Sequence, residues 1–71
     1  MDDPVLLTGA GGRVGQAILS QLAGEYDWRL LDREPIPETR RHGVPESATF
    51  VADVTDEAAV ANAMADCGAV I

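Results

Sequence analysis

Four glycines fall within seven residues of the stretch VLLTGAGGRVGQAI, which covers residues 5–18. When a glycine turn joins a strand to a helix, the backbone can approach a phosphate closely. The free N–H groups and the positive dipole end of the helix then attract that anion. Such a loop needs glycine at the tight turn, beside the phosphate and where the helix packs on the strand. Gly9, Gly12 and Gly15 fill these three places.

The spacing of the glycines shows which of the known phosphate-loop sequence patterns this chain matches. A Walker A loop requires a lysine, and this chain has none. The pattern G-x-G-x-x-G fits Gly9 and Gly11 but then meets Val14. The pattern T-G-x-x-G-x-x-G fits in full, from Thr8 to Gly15. The glycines alone would also fit a purely structural turn.

Two acidic residues strengthen the case for a nucleotide site. Asp32 lies 23 residues after Gly9, where a carboxylate commonly holds the ribose hydroxyls of a dinucleotide. Asp53, followed by Val54, ends a later strand-like run. Either carboxylate alone could be an ordinary solvated residue at a strand end. We expect both to lie with the glycine loop at the carboxyl edge of one sheet.

The elements that must position these residues can be predicted from periodicity and turn signals. Strands are predicted at residues 4–8, 27–32, 48–53 and 69–71, and helices at 13–23 and 55–66. Residues 33–47 contain three prolines and are predicted to form a loop, with one helical turn near 38–41. Gly24 and Gly68 are expected to stop the helices, and Thr55 to cap the second. The inward faces are predicted to comprise Val14, Ala17, Ile18, Gln21 and Leu22 in the first helix, and Ala59, Val60, Ala63 and Met64 in the second.

Strands that alternate with helices in this way indicate an α/β fold with parallel strands and right-handed crossovers. The predicted class is a Rossmann-type doubly wound sheet, N-terminal half only, with strand order 3-2-1-4. Because the run AVI ends within an apolar strand, residues 1–71 are expected to be the N-terminal part of an NAD(P)-binding domain, truncated within the fourth strand. The alternative is a small domain that dimerises through its sheet edge.

Composition narrows the classes of partner. Twelve acidic residues oppose five basic ones, all arginine, which gives a net charge of −7. This balance argues against nucleic acid and anionic membranes as partners. Acidic surfaces without lysine also suit a halophilic protein. Cys67 and His42 are the only residues of their types, which argues against a disulfide or a metal cluster. The absence of a signal-like or membrane-spanning run predicts a cytoplasmic location.

The segments TGAGGRVG, LLD and ADVTD resemble the N-terminal half of extended short-chain dehydrogenases/reductases, the NAD-dependent epimerase/dehydratase family. Within it, the chain is similar to uronate dehydrogenase-like sugar dehydrogenases and to haloarchaeal NAD-dependent glucose-6-phosphate dehydrogenases. The resemblance covers all 71 residues. It implies that Gly9, Gly12 and Gly15 are the phosphate-loop glycines. It also implies that Arg13 and Val14 supply backbone near the pyrophosphate.

The same resemblance assigns the adenosine end of the cofactor. Asp32 would hold the ribose hydroxyls, and Arg33 would lie beside the adenine. Asp53 would meet the adenine amino group, and Val54 would flank the ring. Members of the family often have an aromatic residue at position 13, where this chain has Arg13. Together with Arg33, Arg13 could bind a 2′-phosphate. Because Asp32 would repel that phosphate, NAD is predicted rather than NADP.

Catalysis in this family needs a tyrosine followed four residues later by a lysine. Tyr26 is the only tyrosine, and Leu30 follows it at that spacing, so no catalytic residue is assigned here. The resemblance implies the NAD-binding half of an oxidoreductase that oxidises a sugar or sugar phosphate, with homo-oligomers possible in the family. Two alternatives stay open: an NAD-dependent sugar epimerase or dehydratase, and a dinucleotide-sensing regulator without catalysis.

Overall fold

The computed structural model describes residues 3–71. Its strands are β1 (Val5–Thr8), β2 (Trp28–Asp32), β3 (Thr49–Val51) and β4 (Ala69–Val70). Its helices are α1 (Arg13–Leu22) and α2 (Glu57–Met64), and two short 3-10 turns lie at Glu38–Arg40 and Glu46–Ala48. The described chain therefore follows the predicted order of strands and helices.

The four strands form one parallel sheet in the order β3-β2-β1-β4, which confirms the predicted topology. Leu7 of β1 lies opposite Leu30 of β2, and Asp32 of β2 lies opposite Val51 of β3. Because parallel strands all point the same way, β1, β2 and β3 end at one edge of the sheet. The glycine loop leaves β1 at that edge.

The first face of the sheet is covered by α1. Leu7, Leu30 and Trp28 from the strands are buried together with Leu19 from the helix. The predicted inward stripe of α1 was wrong in part. Ile18 and Leu22 are partly buried as expected, but Val14, Ala17 and Gln21 are exposed, and the buried helix residues are Gly15 and Leu19. Gly15 allows the helix to approach the preceding loop closely, which turns the side of residues 15 and 19 inward.

The opposite face of the sheet is covered by α2. Its buried cluster consists of Leu6, Leu31 and Ala63, with Val60 and Cys67 partly buried against it. Met64, predicted to point inward, is 41% exposed, because the helix contacts the sheet through Val60 and Ala63 and Met64 falls on its flank. Arg29 of β2 donates hydrogen bonds to the carbonyl oxygens of Ala63 and Ala65, which closes the C-terminal end of α2.

The ends of α2 differ from the prediction. Asp56, not Thr55, is the N-cap, and its Oδ1 accepts a hydrogen bond from the Ala59 N–H at 3.1 Å. The N–H and the hydroxyl of Thr55 instead donate hydrogen bonds to the Asp53 carboxylate. The helix ends at Met64 rather than near 66. Asp66, with φ of 64°, takes the left-handed position expected of a glycine, so the chain has already left the helix before Gly68.

The segment between β2 and β3 lies on the same face as α1. It forms the predicted turn at Glu38–Arg40 and a second turn, Glu46–Ala48, that was not predicted. The second turn takes the first residue of the predicted third strand, so β3 begins at Thr49 and is short. Ile36 and Val44 are buried against the α1 cluster and anchor the segment at two points.

Candidate cofactor-binding site

The glycine loop is a tight turn that opens directly into α1. Gly9 has φ of 62°, a left-handed conformation that side chains disfavour. The Gly12 N–H donates to the Gly9 carbonyl at 3.0 Å, which closes the turn. Gly12 is then the N-cap residue of α1, with extended backbone and no side-chain cap. The turn therefore leads the chain from the edge of β1 into the helix with backbone alone at its surface.

The N-terminus of α1 is suited to an anion. No acidic residue occupies its first turn. Its first intrahelical bond is from the Gln16 N–H to the Gly12 carbonyl, so the N–H groups of Arg13, Val14 and Gly15 have no partner within the helix. These donors and the helix dipole point out of the loop, where a pyrophosphate can accept from them. Arg13 and Val14 are both exposed at this helix end, and their role at a pyrophosphate stays a prediction.

Gly15 is where helix and loop come closest. A Cβ added there would lie 2.3 Å from the Gly9 carbonyl oxygen and 2.9 Å from the Cα of Ala10. Real side chains do not tolerate such distances to backbone atoms. At Gly12 the corresponding distance to the same carbonyl oxygen is 3.3 Å, which is tight but less severe. The third glycine of the motif is therefore a steric requirement of the fold, since any larger residue would push α1 off the loop.

Asp32 is held at the end of β2 by backbone donors. Its Oδ2 accepts from the Gly11 N–H at 2.8 Å, and its Oδ1 accepts from the Glu34 N–H at 3.2 Å. The Ala10 N–H also donates to the Leu31 carbonyl at 3.1 Å. These bonds join the glycine loop to the end of β2. The carboxylate is thereby fixed beside the glycine loop.

A cavity of about 160 Å³ opens beside this carboxylate. It is lined by Gly11, Asp32, Glu34, Pro35, Ile36, Pro37 and Arg40. One wall is therefore the glycine loop and the end of β2, and the other is the segment that follows β2. A larger cavity of about 230 Å³ lies at the opposite end of β2, between Trp28 and Val44. Of these two cavities, the smaller one adjoins the glycine loop that leads into α1.

Asp53 lies beyond β3, on the same edge, and is exposed. Its Oδ1 accepts from both the N–H and the hydroxyl of Thr55, each at 2.9 Å. The Thr55 N–H, the Thr55 hydroxyl and the charge of Arg33 together hold the pKa of Asp53 below its usual range, against a weaker effect of desolvation. The carboxylate is therefore ionised at neutral pH, and any stability it contributes is lost only in acid, as the pH falls through the lowered pKa.

The predicted site residues are thus not all in one cavity. The loop residues Gly9, Gly12, Arg13, Val14 and Gly15 form the turn and the helix start. Asp32 lines the cavity beside them. Arg33, Asp53 and Val54 do not line it, although Arg33 is close enough to Asp53 to affect its pKa. Val54 is 59% exposed at the same edge.

Sequence reasoning missed part of the cavity wall. Gly11 was set aside because it does not fit the motif, yet its N–H holds Asp32. Ile36 and Arg40 come from a segment predicted only as a loop. The three prolines of that segment were the available signal that it is stiff enough to form a wall. Gln16, which donates to the carbonyl oxygens of Ala10 and Arg40, gave no signal in the sequence.

The aromatic residues Trp28 and Tyr26 differ in burial. Trp28 is buried and donates from its indole N–H to the Leu22 carbonyl at 2.9 Å. Tyr26 is half exposed and meets Trp28 edge to face, with ring centroids 5.5 Å apart.

Within residues 3–71, no group of three or more His, Cys, Asp or Glu side chains is arranged to hold a metal ion. No helix in that range is long and apolar enough to cross a membrane.

Comparison with known proteins identifies the family. The model of the NAD(P)H-binding family matches residues 9–71, from the first glycine of the loop to the end of the chain. This chain belongs to the NAD(P)H-binding family. The match includes Gly9, Gly12 and Gly15 of the glycine motif, together with Asp32 and Asp53. Membership in the NAD(P)H-binding family agrees with the open N-terminus of α1, which has the geometry that a dinucleotide phosphate requires.

A relative from Haloferax volcanii carries the name NAD-dependent glucose-6-phosphate dehydrogenase. It is 61% identical over 72 residues, which cover 100% of this chain and 28% of the relative. The chain thus spans less than a third of the length of the relative it matches. No solved structure matched the chain significantly.

Proposed function

We propose that this chain is the NAD-binding part of an oxidoreductase that oxidises a sugar or a sugar phosphate. The observation that carries the proposal is the Asp32 carboxylate, fixed by the Gly11 N–H at 2.8 Å beside the open N-terminus of α1. This pair of features would provide one site for ribose hydroxyls and one for a pyrophosphate. Family membership and the name of the Haloferax volcanii relative support the oxidoreductase class.

The preference for NAD follows from charge at the cavity. Asp32 and Glu34 both line it, so a 2′-phosphate on the ribose would meet two carboxylates. Arg40 lines the same cavity and offsets part of that repulsion. Because the two oxygens of Asp32 already accept backbone N–H groups, the carboxylate cannot turn away from a phosphate without losing those bonds. We therefore propose NAD as the cofactor.

The chain's own residues would bind and orient the cofactor. The first-turn N–H groups of α1 would hold the pyrophosphate, with Gly12 leaving room for it. Asp32 would accept from the ribose hydroxyls, and the exposed Val54 would flank the adenine near Asp53. Bound NAD would supply the hydride acceptor for the sugar hydroxyl. The proton-transfer residues and the sugar pocket are proposed to lie elsewhere in the native polypeptide.

The size of the native polypeptide bears on that last point. We propose that residues 1–71 are the N-terminal part of a longer protein of the epimerase/dehydratase family. Mass spectrometry of the polypeptide in its source cells should give a mass several times the 7.5 kDa of this chain. A native mass of 7.5 kDa would contradict the dehydrogenase proposal, because the chain has no lysine for the catalytic pair.

Replacement of Asp32 tests the cofactor site directly. In the native polypeptide, Asp32→Ala should weaken NAD binding about 10- to 100-fold, because a hydrogen bond to a charged group is lost. It should weaken NADP binding much less, so that the preference for NAD shrinks. Isothermal titration with each nucleotide measures both constants. Asp27→Ala, at the other end of β2, is the matched control and should leave both unchanged.

Two outcomes would contradict the assignment. An unchanged preference in Asp32→Ala, or in the milder Asp32→Asn, would exclude the ribose role of this carboxylate. NAD binding by the unsubstituted protein without NADH formation on any sugar or sugar phosphate would instead favour a dinucleotide-sensing regulator. NADH formation with glucose 6-phosphate, followed by its absorbance, would support the dehydrogenase.

The acidic composition supports a proposal about the cellular medium. A net charge of −7 without lysine suits a protein that folds in concentrated salt, where counterions screen the repulsion between carboxylates. We propose a halophilic source. The melting temperature of the native polypeptide should rise with added KCl. A melting temperature that is constant or falls with KCl would contradict this proposal.

A further inference from the structure

Gln16 joins two parts of the chain that form opposite walls of the cofactor cavity. Its Nε2 donates to the Ala10 carbonyl at 2.9 Å and to the Arg40 carbonyl at 2.7 Å. Its Oε1 lies 3.2 Å from His42 Nε2. Both N–H groups of the amide and its oxygen therefore have partners. Ala10 belongs to the glycine loop, whereas Arg40 and His42 belong to the segment after β2.

These contacts fall where the segment has no other described directional anchor. Ile36 and Val44 are buried and anchor it at two points by apolar contact. Residues 37–40, between them, are exposed, and Arg40 lines the cavity opposite Gly11 and Asp32. Apolar burial is non-directional, whereas a hydrogen bond fixes both distance and direction. The amide of Gln16 therefore sets how far the Arg40 wall stands from the glycine loop.

We propose that Gln16 is a positioning residue for the adenosine end of the cofactor, which holds the Arg40 wall in place before the nucleotide arrives. This inference rests on the proposed function. A wall that is already ordered does not have to be ordered during binding, so the free energy of binding is not reduced by that cost. Gln16 acts through Ala10 and Arg40 and does not itself line the cavity.

The test compares Gln16→Met with Gln21→Met in the native polypeptide. Methionine keeps the length of the side chain but removes both donors and the acceptor. Gln21 lies on the exposed side of the same helix and serves as the matched control. Isothermal titration with NAD and with ADP-ribose should show binding about tenfold weaker in Gln16→Met, since two hydrogen bonds that organise the site are lost. Both dissociation constants should be unchanged in Gln21→Met.

A second substitution separates positioning from general support of the fold. Gln16→Glu keeps the shape but turns a carboxylate oxygen toward the carbonyls of Ala10 and Arg40, so binding should weaken at least as much as in Gln16→Met. His42→Ala removes the imidazole but leaves both hydrogen bonds donated by Gln16 Nε2 intact. It should therefore weaken binding less, about twofold. A merely structural role would lower the bound stoichiometry and the melting temperature but leave the dissociation constant of the folded molecules unchanged.

The outcomes distinguish this inference from the proposed function. If the unsubstituted protein binds neither NAD nor ADP-ribose, both are overturned. If it binds both ligands and Gln16→Met binds them with the same dissociation constants, the positioning role alone is overturned. In an active preparation, the expected effect is a raised KM for NAD with kcat changed little, because the wall contacts the adenosine end rather than the reacting atoms.

Discussion

The two faces of the sheet are covered by different physical means. On the α1 face, seven buried residues from the strands, the glycine loop, the helix and the segment after β2 form one cluster. On the α2 face, the buried cluster has three residues, and the helix is 8 residues long against 10 for α1. The α2 helix depends more on hydrogen bonds at its ends, to Asp56 and Arg29.

This difference explains where the candidate site can be precise. On the α1 face, the close approach of Gly15 to Gly9 fixes the helix N-terminus relative to the loop that would hold the phosphates. On the α2 face, polar caps fix where the helix begins and ends, but they are far fewer than the contacts of a packed cluster. A substitution on the α1 face should therefore disturb binding and stability together. One on the α2 face should disturb stability and leave the phosphate loop largely intact.

Gly15→Ala should have the largest effect. Its Cβ would lie 2.3 Å from the Gly9 carbonyl oxygen, so α1 must move away from the loop. We expect a loss of about 1–3 kcal/mol or more in the free energy of unfolding, and loss of detectable NAD binding. Denaturant unfolding and isothermal titration of the native polypeptide measure the two effects.

Gly24→Ala is the matched control for this substitution. Gly24 follows the C-terminal end of the same helix, its φ is not positive, and an added Cβ would meet nothing within 4 Å. Alanine there should be neutral or stabilise the protein by up to about 1 kcal/mol, by restricting the unfolded chain. Equal behaviour of the two variants would show that the close contact at Gly15 does not determine the position of α1.

Arg29→Met should have an intermediate effect confined to stability. It removes the guanidinium from the carbonyl oxygens of Ala63 and Ala65, and a positive charge from the negative end of the α2 dipole. We expect a loss of about 1–2 kcal/mol in the free energy of unfolding. NAD affinity should stay within about twofold, because Arg29 lies on the α2 face.

Arg29→Lys tests whether charge or geometry matters at this helix end. Lysine keeps the charge near the dipole but loses the planar fork, so it should recover about half of the lost stability. A large loss of NAD affinity in Arg29→Met would contradict the proposed independence of the two faces, since it would mean that α2 positions the phosphate loop as well.

The sequence was most informative where one residue type satisfies one steric rule. The strand order followed from alternating elements, and the turn at Gly9 and the close approach at Gly15 followed from the glycine motif. The position of Asp32 at the carboxyl edge followed from its distance along the chain. These features depend on short-range geometry, which a single sequence carries directly.

The sequence was least informative where a side chain has to choose between competing partners. Thr55 and Asp56 are both good N-caps, and the choice fell to Asp56 because Asp53 takes the hydroxyl of Thr55. The inward face of α1 depended on the approach at Gly15, which shifts burial from Val14 to Leu19. Gln16 contacts Arg40, which lies 24 positions further along the chain, and no local sequence pattern predicts this contact.

Substitution of Asp66 should give the smallest effect and refine the account of the α2 face. Asp66 has φ of 64° just beyond the C-terminal end of α2, so it combines a disfavoured backbone with a negative charge at the negative end of the helix dipole. Asp66→Asn removes the charge alone and should raise the free energy of unfolding by about 0.3–0.5 kcal/mol. Asp66→Gly also removes the strain and should raise it by about 0.5–1 kcal/mol.

The order of these two variants decides which feature limits the helix end. If Asp66→Gly exceeds Asp66→Asn, the left-handed backbone is the larger cost, and the helix ends there because of its position in the fold rather than its residue type. If the two gains are equal, charge alone limits the end, and raising the salt concentration should abolish the difference from the unsubstituted protein. If both variants lose stability, the Asp66 side chain has a stabilising contact that outweighs strain and charge, and the account of this helix end is wrong. In every case NAD affinity should stay constant, because Asp66 lies on the face of the sheet opposite α1.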